Sequence, residues 1–160
     1  MNAKFEIISK STDDTDAIAK AIAENLSCGV LLCMYGDIGA GKTTLTKSIG
    51  KYLGIKEQIT SPSFVILNEY HSGKYSLYHF DLYRLENEGL ATILDELQEY
   101  SQDEKALTIV EWAEFSQNEL LDDRLSLQIS YLDETQRCFV FEAFGSKNVE
   151  LLEKIEGALA

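Results

Sequence analysis

Eight consecutive residues, Gly36-Asp37-Ile38-Gly39-Ala40-Gly41-Lys42-Thr43, follow the spacing G-x-x-x-x-G-K-[ST]. Each residue type in that pattern answers a need of a bound polyphosphate. Glycines let the backbone take positive φ angles and curl, so that several amides point inward. Curled amides at the start of a helix form a positive nest for phosphate. Lys42 adds a full charge near the terminal phosphates. The Thr43 hydroxyl is a hard oxygen ligand suited to magnesium, which completes its shell with phosphate oxygens and water. The chemistry implied is binding of a nucleoside triphosphate with Mg2+, and the alternative is a glycine-rich turn without a ligand. Guanine-specific relatives of this loop read the base with an Asn-Lys-x-Asp segment. The sequence has none, which points to adenine and hence to ATP.

Such a loop needs a carboxylate at a strand end to hold the metal or orient water. Two candidates occur. Ile109-Val110-Glu111 ends an apolar run, and Tyr78-His79-Phe80-Asp81 ends another. Glu111 follows the purer apolar run and is the first choice for metal; Asp81 is the second, for metal or for the attacking water. On pattern alone, either is equally an ordinary solvated strand-end residue. His79 shares a face with Asp81 by period-2 alternation, and a histidine bonded to a neighbouring group is a more frequent situation than a base. Thr60-Ser61-Pro62-Ser63-Phe64 carries hydroxyls of the kind that sense a terminal phosphate. The residues alone favour a plain turn bent at Pro62.

The elements around these residues follow from hydrophobic period. Residues 4–9 read as a strand. Ser11 with Asp14 fits a capping box, and Ile18, Ile22 and Leu26 fall on one stripe of a helix over about 12–26. Residues 29–35 are apolar at nearly every position, as in a strand buried on both faces, and run straight into the glycine-rich loop. Leu45, Ile49 and Leu53 predict a helix stopped by Gly54. Residues 64–71 and 75–82 read as a hairpin across Ser72-Gly73-Lys74. An acidic helix is expected over 86–101 and a strand over 107–112. A half-buried strand over 124–132, a partner over 138–144 and a terminal amphipathic helix complete the chain. The order predicts an α/β fold, three-layered, with a sheet partly parallel and partly antiparallel.

The chain has 160 residues, 45% of them hydrophobic, which suits one compact domain over 1–160. No run is long enough to span a membrane and no secretory pattern opens the sequence, so a cytoplasmic protein is expected. Three cysteines, an odd number without a C-x-x-C pair, read as free thiols, two of them (Cys28 and Cys33) in the apolar run before the loop. Net charge is −13, and the arginines are Arg84, Arg124 and Arg137 alone. No concentrated basic surface is present for nucleic acid. The same scarcity of arginine speaks against a small-molecule kinase, the alternative enzyme class, which generally closes an arginine-bearing lid over its substrates. A nucleotide-dependent binding module that never hydrolyses is a third reading.

The loop 36–44, Ser61-Pro62-Ser63-Phe64, His79-Phe80-Asp81-Leu82-Tyr83-Arg84-Leu85 and Val110-Glu111-Trp112 together resemble the bacterial TsaE (YjeE) family in order and spacing. The resemblance covers about residues 12–115. It implies a P-loop ATPase of low turnover, required for threonylcarbamoyladenosine at position 37 of tRNAs reading codons that begin with A. It implies action with the TsaD–TsaB complex, contact with tRNA only through that complex, and none with DNA or membrane. By the same resemblance, Asp37, Ile38, Gly39, Ala40, Gly41, Lys42, Thr43, Thr44 and Ser61 belong to the nucleotide site, with a further contact near Thr12. Thr43 and Glu111 are the implied magnesium ligands with Asp81 close by, and Lys42, Asp81 and Glu111 the implied catalytic set. Two positions depart from the family pattern. Leu94 stands where a glycine is common, and Ala113 replaces the proline that often follows the Glu-Trp pair.

Overall fold

The computed structural model describes residues 2–36, 40–60, 67–82, 91–111 and 123–160. In chain order the elements are β1 (Asn2–Ser9), α1 (Thr12–Glu24), β2 (Val30–Tyr35), α2 (Lys42–Leu53), β3 (Leu67–Tyr70), β4 (Ser76–Asp81), α3 (Ala91–Ser101), β5 (Ala106–Glu111), β6 (Arg124–Tyr131), β7 (Arg137–Phe144) and α4 (Ser146–Leu159). The strands form a seven-stranded sheet in the order β1-β7-β6-β2-β5-β4-β3. β2 pairs in parallel with β5 on one side and β6 on the other, and β4 pairs in parallel with β5. The outer pairs β1–β7, β6–β7 and β3–β4 are antiparallel. This is the mixed α/β sheet that the element order predicts.

Parallel strands in the middle of a sheet must be apolar on both faces, because helices cover both. β2 and β5 obey: every residue of β5 is buried, and β2 is buried through Met34. Alternate residues feed two cores. Val30, Leu32, Met34, Leu107 and Ile109 join Ile18 and Ile22 of α1, Leu45 and Ile49 of α2, and Leu152 and Ile155 of α4. Leu31, Cys33, Phe80 and Val110 join Leu97 of α3 on the opposite face. Three layers result. Each fully enclosed aliphatic or aromatic side chain contributes about 1.5–3 kcal/mol, so the central strands are a stiff base for whatever their carboxyl ends carry.

Several local expectations hold. Gly54, at φ 81°, closes α2 with N–H bonds to the last carbonyls. Ser11 caps α1 by accepting from the Asp14 amide at 3.2 Å. The reciprocal half of the box differs: Asp14 Oδ2 accepts from the Lys10 amide at 2.9 Å, one residue before the cap. α1 ends at Glu24, with Leu26 just beyond it and still in the core. The strand expected over 64–71 is described from Leu67, and the helix expected over 86–101 from Ala91; the remainder of each lies outside the described residues.

The cysteines require one correction. Cys33 is in β2 and enclosed, and burial pushes its thiol up to about 12. Cys28 is not in that strand; it lies two residues before β2 and is half-buried, because the strand begins only at Val30. All three thiols are free.

Candidate functional site

The site gathers at the carboxyl ends of β2, β4 and β5. In such sheets each strand delivers its following loop to the same rim, where ligands bind. β2 ends at Tyr35 and the chain turns at Gly36. Gly36 has φ +146°, and a Cβ there would stand 2.5 Å from the Ile129 carbonyl oxygen of β6. Only glycine fits at that approach. Gly41, at φ 108°, precedes the first turn of α2 in the left-handed region. The amino end of α2 therefore faces the loop with its first amides unpaired within the helix.

Lys42 opens α2 and is 5% exposed. Its Nζ donates to the Gly36 carbonyl, which ties the two ends of the glycine-rich run together. A buried cation demands anionic or carbonyl oxygens around it, and a phosphate supplies them.

Thr43 and Glu111 meet from opposite sides. The Thr43 Oγ1 lies 3.3 Å from Glu111 Oε1 and 3.5 Å from Oε2. Glu111 is level with Met34 across the β2–β5 pairing and with Asp81 across β4–β5. Asp81 is half-buried, and Glu111 is enclosed at 2% exposure. His79, two residues before Asp81 and on the same face, contacts Glu111 Oε2 through Nε2. The expectation that this histidine bonds a neighbouring group is thus met, and the neighbour is the first-choice carboxylate.

These groups fit a magnesium ion. The donors are hard oxygens, a hydroxyl and a carboxylate, and no set of three His, Cys, Asp or Glu side chains among the described residues forms an all-protein cage. Mg2+ favours few protein oxygens completed by phosphate and water. Its bond lengths of about 2.0–2.1 Å put neighbouring ligand oxygens roughly 2.9 Å apart, a few tenths of an ångström from the Thr43–Glu111 separation.

Beside the loop lies a cleft of about 480 Å³, lined by Ser9, Lys10, Ser11, Thr12, Thr15, Ala40, Gly41, Thr44, Glu134, Thr135, Arg137 and Phe139. Its size is that of a small-molecule site. One wall is the start of α1, fixed by Ser9 Oγ, which bonds the Ser11 carbonyl at 2.9 Å and lies 2.7 Å from Thr15 Oγ1. The other wall is the β6–β7 turn. There Arg137 donates to the Asp133 and Gln136 carbonyls and stacks over Tyr131 at 4.5 Å. Backbone amides of Thr135 and Gln136 hold the Asp133 carboxyl below its usual range.

The structure therefore brings Lys42, Thr43, Asp81 and Glu111 to one rim and sets Thr12, Ala40, Gly41 and Thr44 around the adjoining cleft. Asp37, Ile38, Gly39 and Ser61 lie outside the described residues. The wall formed by Glu134, Thr135, Arg137 and Phe139 is absent from the sequence reading. Nothing in local spacing marks it, because β7 is placed there by the sheet, paired with β1 on one side and, through β6, lying beside β2 on the other.

The family model described as "Threonylcarbamoyl adenosine biosynthesis protein TsaE" matches residues 9–139. The chain belongs to the TsaE family. A Bacillus subtilis protein named tRNA threonylcarbamoyladenosine biosynthesis protein TsaE is 38% identical over 143 residues, covering 89% of this chain and 88% of its own. The Aquifex aeolicus protein of the same name is 34% identical over 134 residues, covering 82% of this chain and 91% of its own. The crystal structure of Bacillus subtilis YdiB superposes with a TM-score of 0.81 at 31% identity, over 98% of this chain and 97% of that one. Family membership agrees with the mixed seven-stranded sheet.

Proposed function

We propose that this chain works as one ATP-binding, weakly hydrolysing domain that supports threonylcarbamoyladenosine formation at adenosine 37 of tRNAs reading codons that begin with A. It acts in the cytoplasm with the TsaD–TsaB complex and meets tRNA only through that complex. The observation that carries the nucleotide reading is the buried Lys42 ammonium at the head of α2, beside the facing pair Thr43 and Glu111. The pathway assignment rests on family membership and on the names of the relatives.

In this reading the amides of residues 37–44 and Lys42 hold the β- and γ-phosphates. The cleft beside Thr12 and Thr44 takes adenine and ribose. Thr43 and Glu111 would hold Mg2+, with Asp81 adjacent; when bound, that ion offsets the charge of the phosphate oxygens and polarises the terminal phosphoryl group. Asp81 orients the attacking water and accepts its proton in the transition state, and Lys42 stabilises the charge on the departing diphosphate. Ser61 lies in the segment that would respond to the γ-phosphate. The net charge of −13 suits a subunit that leaves the tRNA surface to its partners.

The test is an ATPase assay of the purified chain alone, with TsaD–TsaB, and with TsaD–TsaB plus tRNA. Turnover that is low alone and rises with the complex is expected. Equal rates in all three conditions would overturn the accessory role. Stoichiometric transfer of phosphate to a metabolite would replace it with a kinase.

A further inference from the structure

His79 has no exposed surface. Its Nε2 meets Glu111 Oε2, and its Nδ1 has no hydrogen-bond partner among the described residues. A carboxylate only accepts, so the Nε2 that meets Glu111 carries an N–H. The opposite tautomer would leave an N–H donor orphaned in the core, the more costly arrangement.

The ring cannot touch a substrate from this position. Its effect runs through Glu111. The two residues face the same side of the sheet, because His79 is level with Ile109, two residues before Glu111, and side chains two apart share a face. A glutamate has three rotatable bonds, and at a strand end it can swing among several rotamers. Among the described residues, the side chains that bond its carboxylate are Thr43 and His79. Thr43 is itself a ligand candidate on a different element. His79 is the anchor that belongs to the sheet.

We propose that His79 is a positioning residue, which holds Glu111 through Oε2 so that Oε1 is preset toward Thr43 for a divalent cation arriving with the nucleotide. The inference rests on the reading of Thr43 and Glu111 as magnesium ligands. Partners that orient a ligating group in this way typically change metal affinity by about 10–100-fold when removed.

The test uses the full chain and ADP, which is not turned over. ADP affinity is measured by calorimetry in magnesium and in EDTA for the wild type, His79→Gln and His79→Asn. The Gln amide nitrogen reaches the place of Nε2, whereas the Asn amide reaches only that of Nδ1. The expected result is that His79→Asn lowers the magnesium-dependent gain by about tenfold or more with EDTA affinity unchanged, and that His79→Gln restores most of it. A full magnesium gain in His79→Asn overturns the positioning role, as does a parallel loss in both conditions. A wild type without any magnesium gain overturns the metal reading of Thr43 and Glu111 itself. A second measurement needs no variant. In the long-range nitrogen–proton spectrum of wild-type histidines, His79 should carry its proton on Nε2, and that resonance should move with magnesium and ADP but not with ADP in EDTA. An Nε2 without its proton, or no response to magnesium, overturns the proposal.

Discussion

Thr43 Oγ1 lies 3.3 Å from Glu111 Oε1, although 68 residues separate them in the chain. The first turn of α2 and the last residue of β5 can meet because β5 is the parallel neighbour of β2, the strand that leads into the loop. A hydroxyl and a carboxylate so placed are two hard donors on two stiff elements. Glu111→Gln keeps the shape and removes the charge. It should shift the magnesium concentration needed for ADP binding upward by about tenfold or more, as expected for loss of a charge-assisted contact of about 1.5–3 kcal/mol. Affinity in EDTA should be little changed. Calorimetry across a magnesium series checks this, and a wild-type curve would remove Glu111 from the metal site.

Lys42→Ala deletes the ammonium that spans the loop to the Gly36 carbonyl. Hydrogen bonds to charged groups contribute about 1.5–3 kcal/mol, which corresponds to roughly 10–150-fold in affinity. ATP and ADP should both bind more weakly by at least the lower of these factors, with or without magnesium, because the phosphate charge itself is left unanswered. Titration of the variant with either nucleotide decides it; unchanged affinity would contradict the phosphate-loop reading.

Gly36→Ala should destabilise the fold as well as the site. The new Cβ would lie 2.5 Å from the Ile129 backbone oxygen, at a φ of +146° that side chains rarely adopt. Strain of this kind costs about 1–3 kcal/mol, and β6 must shift to relieve it. Denaturant unfolding should show the lower midpoint, and nucleotide affinity should fall too, because the Gly36 carbonyl is the Lys42 acceptor. A variant with wild-type stability and affinity would mean that Gly36 does not lie so close to β6.

What could be read from the sequence is what is contiguous or periodic. The loop 36–43 is one unbroken run, and the apolar blocks around Leu32 and Ile109 are the mark of strands covered on both faces. Glu111 and Asp81 were legible as strand-end carboxylates, but not as level partners, since that depends on the register of β4 against β5. The bond from His79 to Glu111 follows from the same register. The β6–β7 wall of the cleft was not legible at all. Its residues stand more than 120 positions from Thr12 and come beside it only because β7 pairs antiparallel with β1. Cys28 shows the limit at an element's edge: the apolar run continues past the point where the strand begins.

The aromatic cluster behind the sheet gives a prediction about pH. Tyr78 donates to Asp103 Oδ2 at 2.7 Å and packs edge-on against Tyr100 at 4.6 Å. Burial, followed by that bond, pushes the Tyr78 hydroxyl from 10.0 up to about 12. The Tyr78 bond, followed by the Lys105 amide, holds the Asp103 carboxyl below its ordinary 3.8. The signs differ for the two partners. Below pH 10 the phenol is protonated folded or unfolded, so its contribution is complete; between about 10 and 12 only the unfolded chain releases the proton, and stability is lost as pH rises. For Asp103 the contribution is complete above 3.8 and is lost as pH falls through the lower folded value. Tyr78→Phe keeps the ring and removes the hydroxyl. It should cost about 1 kcal/mol near neutrality, flatten the alkaline fall in stability and remove part of the acid one. Urea unfolding of both proteins from pH 3 to 11 measures all three effects. An alkaline limb as steep in the variant as in the wild type would assign it to other tyrosines.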